Sequence, residues 1–256
     1  LGLCCINTEM RTRKTPIFSS RTVRLATIQK KGIEFVKELA LDNIRDTIKI
    51  LEECHRIGIH VFRLSSEIFP HATNPRCSGY TMDFANELLV ELGETAKRLH
   101  IRLTAHPGQF NVLGSINEKT VVQTIAELNY QAEMFDRMGM DQDSVMVIHG
   151  GGLNGDKEAA KGRWVENFSR LSSSAQKRLV LENCEKCYSV KDCIDISYAV
   201  NERYGFYVPV VVDSHHYDCY NLMHPEDQFT EIDSYMPCVL ETWYRRDIRP
   251  KVHISE

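Results

Sequence analysis

PVVVDSHHYDC, residues 209–219, changes from apolar to strongly polar within a few positions. The β-branched run Val210–Val212, bounded by proline and by polar residues, predicts a buried strand in a parallel sheet. Asp213 and His216 follow at the carboxyl end of this strand. Burial of a charged group at such a position costs hydration free energy, and an opposite charge or a cation must offset this cost. The stretch therefore indicates either a solvated loop or a site for cations.

Short apolar strands of this kind recur along the chain and alternate with helical segments. The predicted strands are LGLCCIN (1–7), HVFRLS (60–65), IRLTAH (101–106), SVMVIH (144–149), RLVLEN (178–183), YVPVVVD (207–213) and KVHIS (251–255). Repeated strand–helix units form right-handed βαβ crossovers and therefore a parallel sheet. Seven strands at this spacing predict an α/β fold, the (β/α)8 TIM barrel. The eighth strand is not visible, since the sequence ends soon after His253.

Helix boundaries follow from caps and glycines. Asp42 is interpreted as the N-cap of a helix that ends before Gly58, and a later helix is predicted from Asp192 to Tyr204, where Gly205 ends it. The Gly-rich stretch at 149–155 lacks the Lys-Ser/Thr pair of a phosphate-binding loop, and no dinucleotide fingerprint follows the first strand. We therefore expect no organic cofactor.

Composition sets the class of protein. The chain has 256 residues, of which 43% are hydrophobic and 26% charged, and a net charge of −4, values typical of an ordinary globular protein. No apolar run approaches the roughly 20 residues of a membrane helix, so we expect no membrane partner. The first residues do not resemble a signal peptide. Because the sequence begins with Leu rather than Met, we expect a single barrel domain over 1–256 that is cut from a longer chain.

Cysteine usage indicates a reducing, intracellular compartment, without separating nucleus from cytoplasm. Nine cysteines are an odd number and cannot all pair within the chain, so free thiols are expected. Cys184-x-x-Cys187 is compatible with a zinc knuckle or redox chemistry, but no second pair of this spacing follows.

Basic residues are concentrated near the amino terminus. No acidic residue interrupts the stretch from Met10 to Ile33, which carries Arg11, Arg13, Lys14, Arg21, Arg24, Lys30 and Lys31. Such a block could follow a phosphate backbone. The alternative is a solvated basic loop without a partner.

Good metal ligands stand at the end of successive predicted strands. They are His106, His149, Glu182, Asp213 and His253, with His216 one turn beyond Asp213. Because the carboxyl ends of barrel strands open onto one face, these side chains are expected to converge. Imidazoles mixed with carboxylates suit Zn²⁺ or Mn²⁺ better than an all-oxygen cage for Mg²⁺ or Ca²⁺. Any one of them alone would be read as a hydrogen-bonded loop residue.

We expect specific roles for Glu182, a member of this group, and for Lys251, which lies two residues before His253. Glu182 is central and could bridge two ions, as two-metal phosphodiester sites require. Lys251 points to the same face as His253 by strand alternation. An ammonium beside metal ions would be repelled and should lose its proton, whereas the plain alternative for Lys251 is a surface salt bridge.

Several segments are distinctive when they are taken together. Besides the opening LGLCCIN, they are SSRTVRLATIQKKG (19–32), RLSSEIFPHATNP (63–75), AHPGQFNVLGS (105–115), HGGG (149–152), VLEN (180–183), DSHH (213–216) and KVHIS (251–255). With these segments the chain resembles the UV damage endonucleases, relatives of the endonuclease IV barrels. The resemblance covers nearly the whole chain.

The resemblance implies a DNA repair endonuclease that cuts damaged double-stranded DNA 5′ of UV photoproducts and leaves a 3′-hydroxyl. It implies a monomer with two or three divalent ions, Mn²⁺ being favoured and Zn²⁺ or Mg²⁺ the alternatives. The ligands carried over are His106, His149, Glu182, Asp213, His216 and His253. Catalytic roles fall to Glu182, His149 and Lys251, the last matching a lysine that can be carboxylated.

The resemblance also implies residues that contact the lesion. Gln109 and Phe110 match a Gln-Tyr pair that wedges into the duplex where the damaged nucleotides are flipped out, which is cheapest at a distorted site. Asn7 matches a polar residue of the lesion pocket. Asn74 stands where the family has a histidine, and His71 is the alternative substitute for it.

Two other functions fit parts of the sequence. A metal-dependent sugar isomerase or epimerase could use the same kind of barrel, but it gives no reason for the basic block or for Phe110. A non-catalytic module that binds DNA lesions is the second alternative, suggested by Asn74 and by family ligands that lie beyond the KVH strand.

Overall fold

The computed structural model describes residues 1–77, 80–227 and 230–254. Parallel strands alternate with helices, as expected for an α/β fold. The strands are β1 (Gly2–Cys4), β2 (Val61–Leu64), β3 (Arg102–Ala105), β4 (Met146–His149), β5 (Leu179–Glu182), β6 (Val210–Asp213) and β7 (Val252–His253). The helices are α1 (Thr8–Arg11), α2 (Leu25–Lys31), α3 (Ile33–Arg56), α4 (Asn86–Arg98), α5 (Glu118–Arg137), α6 (Lys157–Phe168), α7 (Ser173–Arg178), α8 (Val190–Tyr204), α9 (Ser214–Met223) and α10 (Ile232–Tyr244), with a 3-10 turn at Asp83–Ala85.

The chain divides into two compact units, residues 1–106 with 130–145 and residues 107–129 with 146–256. In the first unit β2 pairs in parallel with β1 and with β3. In the second unit β4, β5, β6 and β7 pair in that order, again in parallel. All seven predicted strands are thereby confirmed. Ser255, at the end of the predicted KVHIS strand, lies outside the described residues, and a single domain over 1–256 stays a prediction.

Strand register in the second unit places polar residues side by side. His149 is the register partner of Glu182, and Asp213 is the partner of His253. Glu182 pairs with Val211, so β6 is shifted by two positions against β5. A shift of two keeps side chains on the same face, because the side-chain period of a strand is two. The register therefore brings the last residues of four strands to one face.

Helix ends agree with the predicted stops better than with the predicted starts. Gly205 ends α8 in the left-handed conformation, at φ 68°. The start of this helix is Ser189, whose side chain forms a capping box with Asp192. The interpretation of Asp42 as an N-cap is wrong, because α3 begins at Ile33 and Asp42 lies inside it, where its carboxylate pairs with Arg45 at 3.1 Å.

Each unit has its own apolar core. In the first, Ile44, Ile50 and Leu51 of α3 are fully buried. In the second, Trp164 and Phe168 of α6 stack with ring centroids 6.0 Å apart. Burial of side chains of this size typically contributes about 1.5–3 kcal/mol each. Within the described residues, every helix is too short or too polar to span a bilayer.

Helix α10 fixes strand β6. The Trp243 indole N–H donates to the Val210 carbonyl at 2.7 Å, and the Val210 N–H donates to the Thr242 hydroxyl at 3.1 Å. Both side chains are completely buried. These bonds hold the start of β6 and so set where Asp213 emerges at its end.

All nine cysteines lie among the described residues, and each is a free thiol, as expected.

A buried aspartate on α3 anchors the basic segment near the amino terminus. The Asp46 carboxylate accepts from the Phe18 N–H at 3.2 Å, from Arg21 at 2.6 Å and from Lys49 at 2.9 Å. The Arg21 guanidinium also lies over the Phe18 ring, 4.1 Å from its centroid. Burial raises the pKa of Asp46, but the hydrogen bonds from Lys49, Arg21 and Phe18 outweigh it, so this pKa lies below its usual value. Arg21 is therefore a structural residue of the basic segment.

We predict that Asp46→Asn lowers the free energy of unfolding by about 1–3 kcal/mol, since hydrogen bonds between charged groups are lost. A depressed folded-state pKa stabilises the protein above the unfolded-state pKa, and this contribution disappears as the pH falls through the folded-state value. The difference between wild type and variant should thus be full above about pH 4 and shrink below it. Urea unfolding across this range measures it. Asp42→Asn on the same helix, half exposed, is the control, and an equal effect of both changes would contradict the anchor.

Candidate metal centre

The Glu182 carboxylate is the most buried charged group at the strand ends. It closes β5 and only 1% of its surface is exposed. Its register partner His149 closes β4, and His149 Nε2 lies 3.5 Å from Glu182 Oε2. The other carboxylate oxygen, Oε1, contacts His253 Nδ1. An isolated carboxylate would be strongly destabilised at this depth, so Glu182 needs a hydrogen-bond donor or a cation beside it, and His253 Nδ1 is placed to donate to Oε1.

His253 links this carboxylate to two further predicted residues. Its Nε2 contacts Lys251 Nζ, which confirms that Lys251 and His253 point to the same side. Ligand atoms of Glu182, Asp213 and His253 all lie within 4.8 Å of one another. Two carboxylates and an imidazole at this spacing form a group that could hold a metal ion.

Asp213 has two roles at the junction of β6 and α9. Its Oδ1 accepts from the His216 N–H at 2.9 Å, which caps α9. The side chain is thus fixed by the first turn of the helix, and this turn carries His216. The His216 ring lies 5.3 Å from the His149 ring, edge to face. His216 therefore lies beside His149, outside the group formed by Glu182, Asp213 and His253.

His106 directly follows β3 in the first unit and is half-buried. Its position at a strand end agrees with the sequence expectation. Its participation as a ligand beside the residues of the second unit stays a prediction.

The HGGG stretch has a steric explanation. A Cβ on Gly150 would lie 2.6 Å from the Tyr188 ring, and one on Gly151 would lie 2.4 Å from Val112. Gly151 also has a φ of 90°, which side chains disfavour. These glycines let the chain pass tightly behind His149, and they need no phosphate to explain them.

The Cys184-x-x-Cys187 pair is part of a tight loop. The Cys184 sulfur accepts from the N–H groups of Cys187 and Tyr188, both at 3.3 Å. Among the described residues, no group of three potential ligands includes either cysteine. The motif shapes the loop after β5 through these hydrogen bonds.

The two asparagines predicted to contact the lesion both make local hydrogen bonds. Asn7 Oδ1 caps α1 by accepting from the Met10 N–H at 3.0 Å. Asn74 Oδ1 accepts from the Arg76 N–H at 3.0 Å. Contact of either residue with DNA stays a prediction.

His71 is held in place by hydrogen bonds of its own. His71 Nε2 donates to the Val23 carbonyl at 2.5 Å, and the Asn74 amide donates to His71 Nδ1 at 3.3 Å. Both ring nitrogens thus bind protein groups in the structure. His71 also has a positive φ of 59°.

Gln109 and Phe110 lie at the tip of a tight turn. Asn111 closes this turn, because its backbone N–H and its side-chain amide both donate to the Gly108 carbonyl, at 3.0 and 2.9 Å. Gln109 is exposed, and Phe110 has 81% of its surface exposed. An exposed aromatic ring on this hydrogen-bonded turn is available for stacking on a partner.

The residues present fit a divalent metal. Imidazole and carboxylate groups converge around a buried Glu182, and these are the donors that Mn²⁺ and Zn²⁺ accept. The group also contains the Lys251 amine, which favours anions as an ammonium and fits metal ions only as a neutral or modified group. The structure establishes groups that could hold a metal ion, while the metal and the number of ions stay predictions.

Two residues that contact the predicted ligands were not predicted from the sequence. The Asn183 carbonyl accepts from His149 Nδ1 at 3.2 Å, and Glu185 Oε2 lies 3.3 Å from His216 Nδ1. Both are in the loop after β5. The sequence marks these two residues only by their position directly after Glu182, at the end of a strand. The cysteines of the same loop suggested zinc or redox chemistry instead.

Comparison with known proteins extends these observations. The whole chain, residues 1–256, matches the family described as UV-endonuclease UvdE. The UV-damage endonuclease of Schizosaccharomyces pombe is 38% identical over 260 residues, which are 100% of this chain and 42% of that protein. The crystal structure of SacUVDE has a TM-score of 0.85 and 31% identity, covering 100% of this chain and 80% of that one. A crystal structure of D-psicose 3-epimerase, at TM-score 0.54, 16% identity and coverage of 82% and 67%, is similar in fold alone.

The fold and the strand-end cluster define an α/β protein of the TIM-barrel class with a candidate divalent-metal centre. This confirms the predicted fold class. The match over its full length shows that the chain belongs to the UV-endonuclease UvdE family. It spans about two fifths of the length of the Schizosaccharomyces pombe relative.

Proposed function

We propose that the chain carries the active site of a DNA repair endonuclease that cuts the phosphodiester 5′ of UV photoproducts in double-stranded DNA. The observation that carries the proposal is the buried Glu182 carboxylate, in contact with His149 and His253 and close to Asp213. Membership of the UvdE family supports the same activity.

The strand-end residues would hold two or three divalent ions, with Mn²⁺ favoured. We assign His106, His149, Glu182, Asp213, His216 and His253 as the ligands. Such ions supply an activated water and neutralise the charge that develops on the attacking and leaving oxygens of a phosphodiester. Glu182 offers both carboxylate oxygens to different neighbours, and this is the geometry that a bridging ligand needs.

Lys251 would act in a modified form. As an ammonium beside His253 it would repel cations. Addition of CO₂ to the neutral amine, with loss of one proton, would convert it into a carbamate that attracts them. His149, Glu182 and the modified Lys251 would then be the catalytic residues that hold the ions near the scissile phosphate.

DNA contacts would come from Phe110 with Gln109, from Asn7 and Asn74, and from the basic segment. The exposed Phe110 ring supplies a stacking face for a base next to the flipped lesion. In the basic segment, Arg24, Lys30 and Lys31 are exposed and available to phosphates. Arg21 instead forms an ion pair with Asp46.

We predict that the chain nicks UV-irradiated supercoiled plasmid in the presence of Mn²⁺, leaves non-irradiated plasmid intact and loses the activity in EDTA. Conversion of supercoiled to open-circular plasmid on a gel measures this. Nicking of both plasmids would contradict lesion specificity, and nicking in EDTA would contradict metal dependence.

Two further assays, of DNA binding and of sugar turnover, separate the alternative functions. Salt-sensitive binding to irradiated DNA without any nicking would indicate a non-catalytic module for lesions. Turnover of a ketohexose without DNA binding would indicate a sugar epimerase, for which the only support is similarity in fold.

We predict that Phe110→Ala weakens binding to an irradiated duplex by about 1–3 kcal/mol, the usual contribution of one base-stacking contact. Fluorescence anisotropy with irradiated and intact duplexes measures the difference. Ile116→Ala is the matched control, because Ile116 is also exposed, at 68%, and lies in the same connection between β3 and α5 but cannot stack as an aromatic ring does. Equal losses in both variants, or no loss in Phe110→Ala, would contradict the wedge.

A further inference from the structure

The loop between β5 and α8, residues 183–189, is a compact and strongly tied segment. The Cys184 N–H donates to the Tyr188 carbonyl at 2.9 Å, which closes the loop, and the Cys184 sulfur accepts two N–H groups from inside it. From outside, His224 Nε2 donates to the Lys186 carbonyl at 2.8 Å. Side chains and carbonyls of this loop are thereby held in fixed positions beside the strand ends.

One end of the loop already orients a candidate ligand. The fully buried Asn183 amide clamps Asp213, accepting from its N–H at 2.8 Å and donating to its carbonyl at 3.1 Å. The Asn183 carbonyl can only accept, so His149 Nδ1 must donate to it. In the neutral ring Nε2 then carries the lone pair, and this nitrogen is the one that faces Glu182.

Glu185 stands in a corresponding position behind His216. Its Oε2 lies 3.3 Å from His216 Nδ1. This nitrogen is enclosed by protein and makes no hydrogen bond with the described residues in the structure, and the Glu185 carboxylate is the charged group that approaches it. A carboxylate only accepts, and it therefore favours the form of His216 that carries its proton on Nδ1. Glu185 is partly exposed, at 43% of its side chain, and can be changed without opening the core.

We propose that Glu185 is a positioning residue for His216: its negative charge, close to Nδ1, favours the proton on Nδ1 and so leaves the Nε2 lone pair for a divalent ion. The inference rests on the proposed metal-dependent function and adds a residue to that site. Carboxylates behind metal-binding histidines typically fix the ring and its tautomer, and their loss lowers metal affinity about 10–100-fold. The loop after β5 would then orient both His149 and His216, by a carbonyl and by a carboxylate.

The test uses two readouts that need no DNA. Histidine ¹⁵N NMR of the metal-free full chain reports which ring nitrogen carries the proton. The His216 signals are assigned as those that disappear in His216→Asn. Titration calorimetry with Mn²⁺ reports metal affinity. In Glu185→Ala we expect His216 to lose its preference for Nδ1–H and the Kd for Mn²⁺ to rise about 10–100-fold. Glu185→Asp keeps the negative charge and should restore most of the tautomer preference.

The chain offers a matched control in Glu226. Its Oε1 lies 3.3 Å from His224 Nδ1, the same distance as in the Glu185 pair, but His224 is outside the proposed ligand set. Glu226→Ala should leave the His216 tautomer and the Kd for Mn²⁺ unchanged. An unchanged tautomer and affinity in Glu185→Ala, or equal losses in both variants, would overturn the positioning role. Failure of the wild type to nick irradiated DNA would overturn the proposed function. The NMR and calorimetry readouts contain no DNA, so the two failures can be told apart.

Discussion

A buried carboxylate at the end of β5 is the constraint on which the functional end of the second unit depends. Glu182 has almost no contact with solvent, and the free energy of burying its charge must be recovered from close partners. His253 supplies one of them at Oε1, and the His149 ring approaches the other carboxylate oxygen. Such an arrangement contributes little to folding by itself, because the imidazoles only offset a cost that an apolar residue would avoid. The same groups are placed so that they could hold a metal ion.

The strands, rather than the loops, determine this convergence. Parallel pairing sends β4, β5, β6 and β7 in one direction, and the register sets His149 beside Glu182 and Asp213 beside His253. The Trp243 and Thr242 bonds to Val210 fix β6, and Asn183 clamps its far end through Asp213. Sites built on strand ends in this way hold their ligands more precisely than sites built on mobile loops.

Much of the fold followed from the sequence because it depends on local pattern. Short β-branched runs that alternate with helical segments predicted all seven strands, and the strand-end positions of His149, Glu182, Asp213 and His253 predicted their convergence. The start of α3 was misjudged because an acidic residue inside a helix resembles a cap. The roles of Arg21 and Glu185 could not be predicted, since they depend on tertiary contacts with Asp46 and His216 that no local pattern encodes.

The most direct test of the account is the substitution Glu182→Gln, which keeps the size of the side chain and removes its charge. Mn²⁺ affinity, nicking of irradiated plasmid and binding to irradiated duplex are measured in parallel with the wild type. If Glu182 is the centre of a metal site, Mn²⁺ affinity should fall at least about tenfold and nicking should be abolished, while binding to irradiated duplex is retained. A variant that binds Mn²⁺ and nicks at the wild-type rate would contradict the account.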